Sequence, residues 1–270
     1  MKLSVFLPTI RTHLLEEWYE TLCKSCSRHD FEVIFCGPFD IPTTLSEQKN
    51  VKFIKDFGNP TRAAQIAAIN CDGDYLYHTT DDVVFFPEAI SNELDRVPFW
   101  NPEVTITQSN YPIVGMRYRE GEGHAGDKLD ESYWYASNAY RGFPGVDSRW
   151  GICVHFLMSR DLFVKYGGFD CRWQYLNHAG HDLLFRIQQN ETVEYTLSAQ
   201  EVSSADWMPN ITGDHAPIHY AQIQEDDPLF QREWFLENKR GIIDLYNYKQ
   251  QPDIWNKRFS GQEERYADLQ

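Results

Sequence analysis

Residues 61–90 read TRAAQIAAINCDGDYLYHTTDDVVFFPEAI. Asn59-Pro60 stands ahead of an Ala/Ile-rich run from Thr61 to Asn70, the arrangement of a capped helix start. Asp72-Gly73-Asp74 is a turn signal, and Tyr75 to His78 behind it reads as a short strand. The same alternation runs upstream. Leu3 to Leu7 is an apolar run, Arg11 to Ser27 carries Leu14, Leu15, Trp18 and Leu22 at helical spacing, and Phe31 to Cys36 and Val51 to Ile54 are further strands. Strands alternating with helices predict an α/β protein whose mostly parallel sheet is flanked by helices. Ligands of such sheets sit beyond the carboxyl ends of the strands, so the chemistry is sought there.

The first chemical signal follows the fourth predicted strand, as Thr79-Thr80-Asp81-Asp82-Val83. Two readings stand for the acid pair. It can hold a hard divalent cation by one or two oxygens while a diphosphate and water complete the shell, or it can cap a helix beginning near Pro87.

Composition narrows the class. The chain has 270 residues, 42% hydrophobic, with 25 Lys+Arg against 40 Asp+Glu, a formal charge of −15. That balance excludes the basic surface that drives nucleic-acid binding, and equally an association with anionic lipid. Pro8 interrupts the first apolar run, which reads as a strand rather than a signal peptide. No run approaches the roughly 18 apolar residues needed to cross a bilayer, and a cytoplasmic, soluble protein is expected. Its six cysteines are then expected as free thiols, the Cys23-x-x-Cys26 pair lying on a helix with no second ligand pair at zinc spacing.

Four segments together carry a resemblance: KLSVFLPTIR from Lys2, FEVIFCGPFD from Phe31, the 61–90 stretch, and HFLMSRDLFVKYGGFDCRWQYLNHAGHDLLFRI from His155. Over roughly residues 1–190 they resemble the GT-A fold of the family 2 glycosyltransferases. The resemblance implies a Rossmann-like domain over 1–222, with a nucleotide-sugar half (1–100) and an acceptor half (101–222), followed by a helical extension over 223–270. In that family a DxD-type triplet holds a divalent metal and the donor diphosphate. Thr80-Asp81-Asp82 takes its place, with Asp82 as metal ligand for Mn2+ or Mg2+, Asp81 turned toward sugar or ribose, and Thr80 where an Asp is usual. Gly167-Gly168-Phe169-Asp170 followed by Asp182 and Arg186 resembles the family's GGFD…ED…R block. Asp182 is then the expected general base and His181 an acceptor contact; the alternative is that Asp182 caps a helix Leu183–Gln189.

Other contacts follow from the same resemblance. Pro8 and Thr9 would frame the nucleobase with Arg11 close behind, and Asp56 would hydrogen-bond the base. Arg62, at a helix start, would approach the diphosphate, a solvent-facing arginine being the other reading. Asn110 to Trp150 is rich in aromatic and turn residues, from which Trp134, Tyr135 and Trp150 are expected to contact a sugar acceptor while other rings pack in a satellite core. His219, ahead of His215, is the candidate extra metal ligand or else a plain histidine, and Pro217 argues against a helix there. Asp227 to Gly241 reads as an amphipathic helix that packs back on the domain or on a second subunit. The expected function is metal-assisted, inverting sugar transfer from a UDP- or GDP-linked donor to a glycan or protein-linked glycan. The alternatives are a retaining transferase and a non-catalytic sugar or nucleotide-sugar binding module.

Overall fold

The computed structural model describes residues 2–96, 111–120, 136–138, 151–191, 193–205, 216–237 and 241–250. Its first strand, β1 (Lys2–Pro8), is buried on both faces apart from its ends, as a central strand of a parallel sheet must be. Side chains alternate along it: Leu3, Val5 and Leu7 enter one core, Phe6 the other. The helices follow the same division. On one face α1 (Leu15–Ser25) buries Leu15, Trp18 and Leu22. On the other lies α3 (Pro60–Ile69), whose alanines Ala63, Ala64, Ala67 and Ala68 let its backbone come close to the sheet. Asn59 caps α3 by accepting from the Arg62 amide at 2.9 Å, and Pro60 occupies the first helical position.

The remaining strands are β2 (Asp30–Gly37), β3 (Val51–Lys55), β4 (Tyr75–His78), β5 (Val83–Phe85), β6 (Tyr111–Glu120), β7 (Ala136–Asn138), β8 (Gly151–Cys153), β9 (Phe156–Ser159) and β10 (Val193–Ala205). Eight of them form one sheet in the order β3-β2-β1-β4-β9-β6-β10-β5. The β3, β2, β1 and β4 strands run parallel; β9 is antiparallel to both β4 and β6, β10 is parallel to β6, and β5 closes the edge antiparallel to β10. The chain moves outward from β1 to β3 and then returns to place β4 on the other side of β1. That reversal opens a crevice between the carboxyl ends of β1 and β4.

The shorter helices are α2 (Thr43–Ser46), α4 (Ala89–Arg96) and α5 (Arg160–Lys165), and α6 (Leu176–Asn190) and α7 (Ala216–Gln231) complete the set. One expectation is corrected here. Pro217 does not prevent a helix: it sits in the first turn of α7, where its missing N–H has no intrahelical partner to lose. Phe230 near the end of α7 and Trp234 just beyond it join the core that holds α3 and α6. All six cysteines are free. Among the described residues no helix is long and apolar enough to cross a membrane.

Candidate active site

The loop leaving β1 and the loop leaving β4 meet at the crevice and are tied together by one carboxylate. Asp81 Oδ2 accepts from the Thr9 hydroxyl at 3.0 Å and from the amides of Ile10 and Arg11 at 2.9 and 3.0 Å. Its Oδ1 accepts from Arg11 Nε at 2.7 Å and also from Arg11 Nη2. Arg11 then reaches sideways, placing Nη1 2.9 Å from Asp82 Oδ2. From the other flank Trp18 Nε1 donates to the Thr80 carbonyl at 2.9 Å, pinning the same loop to α1. Pro8, Thr9, Arg11, Thr80, Asp81 and Asp82, scattered over seventy-odd positions of the sequence, are thus one cluster.

The helix-cap reading of the acid pair is excluded, because β5 intervenes before α4. Both carboxylates are almost wholly buried, Asp81 3% and Asp82 7% exposed. Their titration diverges for that reason. Burial alone would raise Asp81, but the Arg11 charge and its hydrogen bonds, with the two loop amides, hold it below the ordinary carboxylate range. Burial lifts Asp82 above that range, against the pull of Arg11 and with Asp81 adding its repulsion.

The next strand ends carry a second pair. Arg62 directs Nη2 and Nε onto Asp56 at 2.8 to 3.2 Å, and the Gly58 amide donates to Asp56 Oδ2 at 2.8 Å. Gly37 joins the two pairs: Thr9 donates to the Cys36 carbonyl at 2.8 Å, Asp56 donates to the Gly37 carbonyl at 3.1 Å, and a Cβ on Gly37 would lie 1.9 Å from the Thr9 oxygen. Only glycine fits that crossing. Arg62 also lies 5.8 Å from the centroid of the Tyr248 ring, and its side chain is 21% exposed.

Asp182 is elsewhere and differently used. It sits in mid-helix on α6, which begins at Leu176, so it caps nothing. Its side chain and that of Arg186 are both 0% exposed; Oδ2 accepts from Arg186 Nε at 2.8 Å and Oδ1 from Trp234 Nε1 at 3.1 Å. Arg186 continues to the carbonyls of Tyr166 and Gly168, holding the Gly167-Gly168 turn, whose φ angles of 78° and 67° favour glycine. A carboxylate so enclosed has no open face toward an acceptor. Through Arg186 the carboxylate anchors the glycine turn. His181, one residue earlier, is partly buried with Phe185 and Phe230 about its ring at 6.4 Å each, and burial with the neighbouring His178 pulls it well below the ordinary histidine range.

A divalent ion was expected on Asp82. A diphosphate and water can complete the shell of such an ion, so the chain has to offer one or two free carboxylate oxygens. Asp81 already receives five donors, and Asp82 faces a guanidinium. The residues present do not fit a resident metal. His219 falls within α7 with its side chain outside the described ones, and Trp134, Tyr135, Trp150 and His215 lie outside the described residues.

Two residues that sequence reasoning passed over hold the site's surroundings. Gln65 donates to the carbonyls of Gly167 and Leu245 and accepts from the Phe169 amide, joining α3 to the glycine turn. Asn247 accepts from the Cys171 amide at 2.7 Å and donates to the Phe169 carbonyl at 2.9 Å, which straps residues 241–250 over the same turn. A buried Gln in an otherwise alanine-rich helix face was the only available signal.

The sequence matches no protein-family model and no curated protein sequence. Solved structures do match by fold. Residues 1–349 of TarS from S. aureus superpose with a TM-score of 0.56 at 13% identity, covering 98% of this chain and 74% of that one. A longer TarS structure gives 0.58 at 14%, covering 96% of this chain and 44% of that one. The TarS 1–349 complex with UDP-GlcNAc gives 0.53 at 13%, covering 100% and 76%. The mixed eight-stranded sheet with helices on both faces, and the crevice between β1 and β4, are those of the GT-A fold.

Proposed function

We propose that this chain is a glycosyltransferase that takes a uridine-diphosphate sugar and passes the sugar to the hydroxyl of a glycan or protein-linked glycan. One observation carries the reading: the Pro8–Arg11 loop, the Thr80–Asp82 loop and the Asp56–Arg62 pair gather at the carboxyl edge of β1 to β4, at the point where strand order reverses. A crevice of that kind in an open α/β sheet is where a nucleotide binds. TarS, similar in fold, has been solved with UDP and with UDP-GlcNAc, which makes UDP the first nucleotide to test and GDP the second. In this reading the loop backbones of Thr9 and Gly37 frame the base, Asp56 and Arg62 order the ribose and phosphates, and the α3 N-terminus adds positive dipole at the diphosphate.

Direct attack by the acceptor, with inversion, is the course we assign. A retaining double displacement needs a carboxylate to attack the anomeric carbon, and Asp56, Asp81 and Asp82 at this edge are each engaged by an arginine. A second reading, a nucleotide-sugar-binding module without transfer, is favoured by one fact: Asp182 is buried against Arg186 and Trp234. Thermal melts with UDP, UDP-GlcNAc and GDP test the site, since a ligand that binds only the folded state raises its stability, by about 2.7 kcal/mol at a hundredfold excess over Kd. Mass spectrometry for UDP released from UDP-GlcNAc then separates the readings. A melt shift without release supports the binding module, and an NMR spectrum showing a retained anomeric configuration would displace inversion.

A further inference from the structure

The acid pair at the crevice already faces a cation, and that cation belongs to the chain. Arg11 directs Nε and Nη2 onto Asp81 Oδ1 and Nη1 onto Asp82 Oδ2, bridging the two carboxylates with one planar group. Its backbone is fixed by the same acid, since the Arg11 and Ile10 amides both donate to Asp81 Oδ2. A carboxylate offers about four lone-pair sites, and Asp81 receives five donors. No lone pair is left there for a metal. A metal on Asp82 alone would stand beside a guanidinium that cannot lose its proton.

We propose that Arg11 is the built-in counter-ion of the Asp81–Asp82 pair, standing where a divalent ion would otherwise sit, and that the site binds a nucleoside diphosphate without divalent metal. Moving the Arg11 side chain aside to admit an ion would break its hold on both carboxylates, while the Thr9 hydroxyl and the Ile10 and Arg11 amides would still occupy Asp81 Oδ2. Arg11 also has what an anion needs. Three of its five N–H groups are spent on the two acids, and its side chain keeps 17% exposure. A guanidinium fork of this kind binds phosphate oxygens directly, so the group that neutralises the acids can also meet the ligand.

The ligand half rests on the nucleotide-sugar reading; the counter-ion half rests on the geometry alone. Two measurements on the full chain keep them apart. Electron paramagnetic resonance of added Mn2+, with and without UDP, is expected to show the free hexaaquo signal undiminished by the wild-type protein. Mn2+ uptake that disappears in Asp82→Asn would overturn the proposal, whereas uptake unchanged in Asp82→Asn lies at another site and leaves the pair metal-free as proposed. Calorimetry of UDP in EDTA and in Mn2+ is expected to give Kd values within about twofold of each other. UDP binding seen only with Mn2+ would overturn the metal-free site while leaving the transferase reading intact. No binding of UDP or of GDP in either buffer would remove the ligand half and the transferase reading with it, and the Mn2+ signal would still decide the counter-ion.

Discussion

A buried ion pair is worth little when whole and costs much when halved, because the surviving charge has neither water nor partner. Asp182 and Arg186 are such a pair, both side chains at 0% exposure. Asp182→Ala is therefore expected to lower the folding stability by about 3 kcal/mol, measured by urea denaturation, and to loosen the Gly167-Gly168 turn that Arg186 holds. A variant that folds as firmly as the parent and loses only sugar transfer would restore the residue to catalysis. Half of this was legible in the sequence: acid and base four apart on a helix meet on one face, and the apolar Leu183, Leu184 and Ile187 around them mark that face as buried. The other half was not, because Trp234, which takes the second carboxylate oxygen, stands 52 residues on and reaches Asp182 only through packing. The Asp81–Arg11 tie was hidden for the same reason: the two residues are 70 positions apart, and each alone reads as a ligand contact.

Elements were easier to read than their joints. The strands β1 to β4 and the helices α1 and α3 announce themselves by periodicity, by Asn59-Pro60 and by Asp72-Gly73-Asp74, since those signals are local, whereas the four-residue α2 and the three-residue β5 are too short to show a period. Nothing local shows that α3 docks through Gln65 onto the glycine turn, or that residues 241–250 are strapped there by Asn247. The α7 helix misled for the opposite reason, a local breaker overruled by its position in the first turn. The joint makes a prediction of its own. At Gly168, with φ at +67°, a Cβ would come 2.4 Å from Gln65 Oε1 and from the Phe163 ring. Gly168→Ala thus combines a strained backbone with a clash, and a loss of about 2 kcal/mol is expected in a denaturant titration. Hydrogen exchange should locate the damage in residues 165–171 and 241–250 together; faster exchange confined to one of them would mean that the two segments are not coupled.

At the scale of the molecule, acid sensitivity follows from buried and partly buried histidines: His181 and His178 on α6, whose pKa values burial lowers, and two more where the parallel half of the sheet meets β9. His78 lies among Phe6, Phe156 and Phe169 with Nδ1 donating to the Val154 carbonyl at 2.8 Å, and burial pulls its pKa down to about 4. His155 lies 3.0 Å from the Thr79 hydroxyl and against the Tyr118 ring, and burial, with His78 nearby, pulls it to about 3. In the unfolded chain both titrate near 6.5. Above that pH both states are neutral and the full stability is present. As the pH falls toward 4 the unfolded chain takes up protons that the folded one refuses, and stability is lost at a rate set by that difference. Between pH 7 and 5 the loss is on the order of 2 kcal/mol per histidine. Two effects oppose it. The net charge of −15 shrinks and self-repulsion eases, but most of the 40 acids, titrating near 4, are still ionised at pH 5. Asp82 and Glu93, which burial raises, also shed part of their own penalty as they gain protons. The histidines act over the whole interval from 6.5 downward, so the net slope is expected to be destabilising. Urea midpoints measured at pH 7, 6 and 5 should fall steadily, and since His155 and His181 contribute alongside it, with His178 adding in the same direction, His78→Phe should flatten the decline by about a third at most. A flat profile in the wild type would mean that these imidazoles are hydrated in the folded state, and that the junction of β4 and β9 is not the dry core described above.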